Sequence, residues 1–225
     1  ITGGYNKCTG LNTGDGGGVY VYDGGAFTLE GGTISGNHAN YGGGVYVKNK
    51  DGSSTVTKKG GVITDNTADE SGGGVYAVNY ATFAMVEGEI SDNNAKYGGG
   101  VGITDGATFT MTEDCLITGN TAAMEGGGLN IKNADVTMSA GTISENKSTP
   151  NRDAHPNTGG GGVNVEADAS FTLEGGYITR NSSYLDGGGV DVHGTFSMKG
   201  GEISGNTALW GGGVYVQLND ASVTP

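Results

Sequence analysis

Along the chain, short blocks alternate apolar and polar residues with period two, and glycine-rich corners separate them. The block "GGGVYV" stands at Gly16 to Val21 and again at Gly42 to Val47. A polar turn follows each such block, then a second alternating block such as "AFTLEGG" or "SFTLEGG", then Ile-Ser/Thr-x-Asn, as at Ile34 and Asn37. The blocks run three to five residues and favour β-branched and aromatic types, so each predicts a short strand. No apolar stripe of helical period persists between the glycines, which disfavours helix.

The pattern repeats. Gly-Gly-Gly followed by Val or Leu occurs eight times, ending at Val19, Val45, Val75, Val101, Leu129, Val163, Val190 and Val214, with spacings of 26, 30, 26, 28, 34, 27 and 24 residues. All seven units between triplets keep an Ile and an Asn: Ile34/Asn37, Ile63/Asn66, Ile90/Asn93, Ile117/Asn120, Ile143/Asn146, Ile178/Asn181 and Ile203/Asn206. Such units stack into a continuous core that none could bury alone. The predicted fold is an all-β, right-handed parallel β-helix of about eight coils with three short strands each. It occupies residues 1–225 as one segment, with coils beginning near 16, 42, 72, 98, 126, 160, 187 and 211.

Stacking turns the repeated positions into ladders. The Val19 column, the Val21/Val47/Ala77/Ile103 column and the Phe27/Val56/Phe83/Phe109/Val136/Phe171/Phe196 column are predicted to face inward. About five apolar side chains per coil at roughly 1.5–3 kcal/mol each offset the cost of ordering the chain only because neighbouring coils share the core. The Leu29/Met85/Met111/Met138/Leu173/Met198 column is broken at Lys58, which predicts a distortion there. The asparagines predict an internal amide ladder, which would also bury the sequons at Asn146 and Asn181.

Composition sharpens this reading. Glycine numbers 48 in 225 residues, and half of it sits in the eight triplets, one per coil, at the corner before the first strand. With 11 basic against 24 acidic residues the net charge is −13, which opposes nucleic acid and anionic lipid as partners. No apolar run is long enough to insert in a membrane. Cys8 and Cys115 lie four coils apart, about 19 Å along the axis at the strand spacing, too far to bond to each other.

The units "GGGVYV … FTLEGGTISGN" resemble those of right-handed β-helix surface proteins of bacteria, common in large adhesin-like proteins of gut anaerobes. The paired Ile-x-x-Asn and Gly-Gly-Gly-Val signals are similar to the Phe-x-x-Asn and Gly-Gly-Ala-Ile repeats of chlamydial polymorphic outer-membrane proteins. The resemblance implies an extracellular protein of the bacterial cell surface. Its implied role is to bind a host surface protein, immunoglobulin or glycan, or to serve as a stalk, without enzymatic activity or cofactor. "ITGG" at the start matches a third strand, and "DASVTP" at the end matches the start of a second, so the chain reads as a segment of a longer solenoid.

On a solenoid the outward positions carry function. In the first strand they run Tyr20, Tyr46, Tyr76, Gly102, Asn130, Asn164, Asp191 and Tyr215, with Tyr22, Tyr80, Tyr41 and Tyr97 nearby. Tyr20, Tyr22, Tyr46, Tyr76 and Tyr80 form the candidate ligand-binding stripe, since stacked aromatic rings suit sugar faces or a protein anchor. The alternative is a polysaccharide lyase or glycoside hydrolase. Its candidate residues are Asp191, His193 and Glu166, together with Arg152, Asp153 and His155 from the longest insertion. Against it, the chain carries neither the Asn-x-Asp, Asp-Asp and Arg-x-Lys set of polygalacturonases nor the acidic calcium cluster of pectate lyases. A lesser alternative is an ice-binding face on the outward Thr and Ser of the second strand (Thr55/Thr57, Thr82, Thr108/Thr110, Thr137), but Ala26, Ala84 and Asp135 interrupt it. Asp65, Asp69 and Glu70 offer oxygens near one turn without the spacing of a calcium-binding roll, so no metal site is assigned.

Overall fold

The structure, a computed structural model, describes residues 1–5, 14–112, 114–150 and 158–217. Those residues form strands and turns with no helix, and every strand pairing is parallel. The first strands stack into one eight-stranded sheet: Val19–Tyr22, Val45–Lys48, Val75–Val78, Val101–Thr104, Leu129–Lys132, Val163–Val165, Val190–Val192 and Val214–Val216. Eight stacked first strands enclose about seven full turns, slightly fewer than the eight coils expected from the triplets.

The second and third strands of every coil belong to one twelve-stranded sheet. In two adjacent coils they fuse into ten-residue strands, Thr55–Thr64 and Thr82–Ser91. A further strand, unexpected from the sequence, follows six of the seven ladder asparagines. His38–Tyr41, Thr67–Ser71, Asn94–Tyr97, Thr121–Glu125, Lys147–Ser148 and Ser182–Ser183 make a third sheet of six strands. Four coils therefore have four strands rather than three, and the two coils with fused strands keep three. The fourth turns a small residue inward, Ala39, Ala68, Ala95, Ala122, Ser148 or Ser183, all buried, and Ser71 and Met124 are buried on the two longest of these strands as well.

The predicted ladders are the core. Val45, Val75, Val101, Leu129, Val163 and Val190 are buried in consecutive register. Phe83 stacks on Phe109 with ring centroids 5.2 Å apart, and Phe171 on Phe196 at 5.6 Å. Lys58 keeps its place between Leu29 and Met85 and is fully buried, and the strand slips register just after it. Its ammonium donates to the carbonyls of Gly60 at 3.0 Å, Gly61 at 2.6 Å and Glu87 at 3.1 Å. Those bonds compensate a charge that burial otherwise penalises. Burial lowers its pKa to about 8.

The glycine triplets have separate causes at each position, as Gly72–Gly74 show. Gly72 has a left-handed φ of 68° and packs so closely on the next strand that a Cβ would lie 2.7 Å from that of Tyr76. A Cβ on Gly73 would meet the Gly99 carbonyl oxygen at 2.3 Å, and one on Gly74 the Gly100 oxygen at 2.7 Å. The corner is therefore sharp and tightly stacked, and this sharpness makes the site.

Candidate functional site

Where the fourth strand meets the triplet, the chain turns back so steeply that the outer surface is re-entrant. One wall is the residue just before each triplet. Bridges run Asp15 to Tyr41 to Ser71 to Tyr97 to Glu125, and again Gly159 to Asp186 to Trp210. The other wall is the outward column of the first sheet, in the register Tyr20, Tyr46, Tyr76, Gly102, Asn130, Asn164, Asp191, Tyr215. Between them lies a groove of about 410 Å³ lined by Tyr41, Tyr76, Tyr97, Glu125, Asn130 and Glu166 among others.

One end of this corner is aromatic. Tyr20 stacks on Tyr46 at 5.1 Å with planes 9° apart, Tyr46 tilts against Tyr76 at 5.7 Å, and Tyr41 stacks on Tyr76 at 5.3 Å. Tyr76 lies over Gly102, whose missing side chain makes room for the ring, and its hydroxyl meets Thr104 Oγ1 at 2.9 Å. Burial raises the Tyr76 pKa to about 12 and that of Tyr46 further still.

The five-tyrosine stripe is not one exposed face. Tyr46 is only 4% exposed, because its neighbours in the pile cover it, so it acts as filling between Tyr20 and Tyr76. Tyr20 and Tyr22 are exposed side by side, with centroids 6.0 Å apart. Tyr80 stands apart on the turn after Val75–Val78, exposed, in a left-handed backbone at φ 60°. With Tyr22 it borders a separate shallow hollow alongside Lys48 and Asn49.

The other end is acidic. Asn164 Nδ2 donates to Asn130 Oδ1 at 2.8 Å and to Glu125 Oε2 at 3.2 Å, while Asn130 Nδ2 donates to Glu166 Oε1 at 3.2 Å. Lys132 Nζ pairs with Glu166 Oε2 at 3.1 Å, and His193 Nε2 lies 3.3 Å from Asp191 Oδ2. Burial, reinforced by Glu166, raises the Glu125 pKa to about 7. Burial, reinforced by Asp191, raises that of Asp186 to about 6. Near neutral pH this end thus holds a carboxyl at Glu125 that both donates and accepts hydrogen bonds.

Asp191 and His193 meet each other, with Glu166 on the neighbouring coil bonded instead to Lys132 and Asn130, and Asp191 and His193 are buried rather than displayed. Arg152, Asp153 and His155 lie outside the described residues, as does Cys8. Glu125 and Asp186 went unrecognised in the sequence, as did Asn130 and Asn164 in any functional role. The signal for Glu125 and Asp186 was the position before each triplet, which changes from coil to coil while the triplet stays fixed.

The other candidate features are otherwise engaged. Asp69 meets His38 at 2.8 Å and Glu70 meets Lys96 at 3.3 Å, and among the described residues no three His, Cys, Asp or Glu side chains group as a metal site. Thr108 donates to Thr82 at 3.1 Å and Ser170 bonds Asp135, so part of the threonine face is spent on itself. Asn146 and Asn181 are buried in the amide ladder, out of reach of glycosylation, and the Cys115 thiol is buried and free.

Comparison with curated proteins and with solved structures returned no match. The sequence profile described as "Right handed beta helix region" matches residues 5–208, nearly the whole chain. With parallel stacking in every sheet and inward ladders in every coil, the chain belongs to the right-handed β-helix family.

Proposed function

We propose that this chain is a glycan-binding β-helix module of a bacterial cell surface, adhesin-like and non-enzymatic, and that the corner groove is its binding site. The observation that carries the reading is the make-up of that groove. Stacked tyrosines at one end offer faces for sugar rings, and amides and carboxyl groups at the other offer paired donors and acceptors for ring hydroxyls. The site runs across coils, along the solenoid axis, which suits an extended chain rather than a compact molecule. The strongly negative net charge favours a neutral or cationic glycan over a polyuronate. Extracellular placement follows from the likeness of the repeat units to bacterial surface proteins, and host glycan is the partner this placement suggests.

A hydrolase is the second reading, favoured by one observation: Glu125, with a pKa of about 7, would suit a general acid. Against it, Glu166, its nearest carboxylate in charge terms, is engaged by both Lys132 and Asn130 and is poorly placed to act as base or nucleophile. A glycan array probed with the whole chain tests the proposal. Retained glycans that are lost on Tyr97→Ala, and come back from the protein uncleaved, would support it. Release of reducing ends that stops with Glu125→Gln would favour the hydrolase. A blank array with the folded, unsubstituted chain would overturn glycan binding.

A further inference from the structure

The turn after Val75–Val78 is Asn79-Tyr80, and both residues have a left-handed backbone, at φ 55° and 60°. Its counterparts after Val19–Tyr22 and Val101–Thr104 are Asp23-Gly24 and Asp105-Gly106, left-handed at the same two places. All three close with the same bond, from the N–H of Gly25, Ala81 and Ala107 to the carbonyls of Tyr22, Val78 and Thr104. Such turns favour Asn or Asp first and glycine second, so Tyr80 is a strained residue at a glycine position. Burial does not explain it. Tyr80 is 77% exposed, the most exposed large apolar side chain among the described residues, and its ring lies across Gly106, where a Cβ would collide with it. Strain held in order to display a ring points to a ligand for that ring.

The hollow beside Tyr80, about 570 Å³, has a fixed frame. Buried Asn49 donates through Nδ2 to Tyr80 O at 2.7 Å and accepts the Ser54 N–H, while Ser54 Oγ donates to Lys48 O at 2.8 Å and accepts the Gly24 N–H at 3.1 Å. The carboxylates of these turns are engaged: Asp23 Oδ1 accepts the N–H groups of Asp51 and Gly52 at 2.9 and 2.8 Å, and Asp51 Oδ2 lies 4.0 Å from Lys50 Nζ. Lys48 lines the hollow and pairs with no carboxylate among the described residues.

We propose that this hollow is a second binding site, separate from the corner groove, for a sugar that carries a single carboxylate. The sugar ring would lie on Tyr80 and Tyr22, and the carboxylate would meet the Lys48 ammonium. The net charge of −13 is compatible with one such group, because charges more than about 8 Å away are largely screened at physiological salt. A polyanion would meet the acidic surface along its whole length. The inference stands apart from the groove reading and does not depend on it.

The test is two-dimensional NMR titration of the whole chain with the methyl β-glycosides of glucuronic acid and of glucose, and with sodium acetate. The glucuronide should shift Lys48, Asn49, Gly52, Asn79 and Tyr80, bind at least about fivefold more tightly than the other two, and weaken with added salt. Tyr80→Gly restores the turn of the neighbouring coils, so it should melt at or above the parent's temperature and lose the binding. Lys48→Met should bind the glucuronide no better than the glucoside. Acetate binding as tightly as the glucuronide would overturn the assignment to a sugar, and equal binding of the glucoside would overturn the role of Lys48. Tyr80→Gly that melts higher yet binds the glucuronide undiminished would overturn the role of the strained ring. No shift from any of the three up to about 20 mM, or shifts at Tyr97 and Glu125 instead, would overturn the site and leave the corner groove standing.

Discussion

Asn93 Nδ2 donates to Asn120 Oδ1 at 3.0 Å, and the same oxygen takes the backbone N–H of Asn93, also at 3.0 Å. The relation repeats through Asn37, Asn66, Asn120, Asn146 and Asn181, so one carbonyl per coil holds both the amide and the backbone of the coil before it. Asn93 Nδ2 also donates to Ile63 O at 2.9 Å. Asn93→Ala would leave several buried groups unpaired at once. It should lower the stability of the chain by roughly 3–5 kcal/mol in urea unfolding. A loss under about 1 kcal/mol would mean that the ladder is ornamental.

The residue before each ladder asparagine adopts a left-handed backbone, and at Arg180 and Glu145 it does so without glycine, with φ of 56° and 57°. Their ion pair of 3.1 Å is mostly solvent-exposed and contributes little. Arg180→Gly should therefore raise stability by about 1 kcal/mol, read as a higher melting temperature.

Lys58 makes stability depend on alkaline pH. Its folded pKa of about 8 lies below the ordinary lysine value of 10.5, so between those values the unfolded chain holds the extra proton. Stability relative to a Lys58→Met variant should rise as pH increases from 8 to 10.5, in parallel melting curves. A flat difference would mean that the ammonium is not penalised by burial.

Glu125 acts in the opposite sense. Its folded pKa of about 7 is raised above the ordinary 4.5, so its stabilising contribution is full below 4.5 and lost as pH rises through 7. Glu125→Gln should match the parent's melting temperature at pH 4 and exceed it at pH 8. Equal temperatures at both would remove the argument that the groove desolvates this carboxyl.

The sequence made the core legible because each ladder repeats a large apolar residue, so Val45, Val75 and Val101 announce a stacked strand by themselves. The fourth strand was not legible. The inward residue that recurs in it is alanine or serine, too small to register as an apolar period, although Asn-x-Ala at Asn37, Asn66, Asn93 and Asn120 marks it in hindsight. That omission hid the site. Without the fourth strand there is no second wall, so Tyr46 and Asp191 read as outward, displayed site residues when they are the covered floor of a corner. Glu125 and Asp186 drew no assignment for the same reason. Lys58 shows the converse, since a charged residue at a core position was visible in the sequence but the carbonyls that receive it were not.

The central claim is that ligand occupies the corner groove, and the most direct measurement is backbone chemical-shift mapping of the whole chain on titration with a bound oligosaccharide. Shifts should concentrate at Tyr41, Tyr76, Tyr97, Glu125, Asn130 and Glu166, and leave the threonines of the second strands unmoved. Shifts confined to Thr57, Thr110 and Thr137, or to the hollow beside Tyr22 and Tyr80, would place the ligand elsewhere and contradict the account.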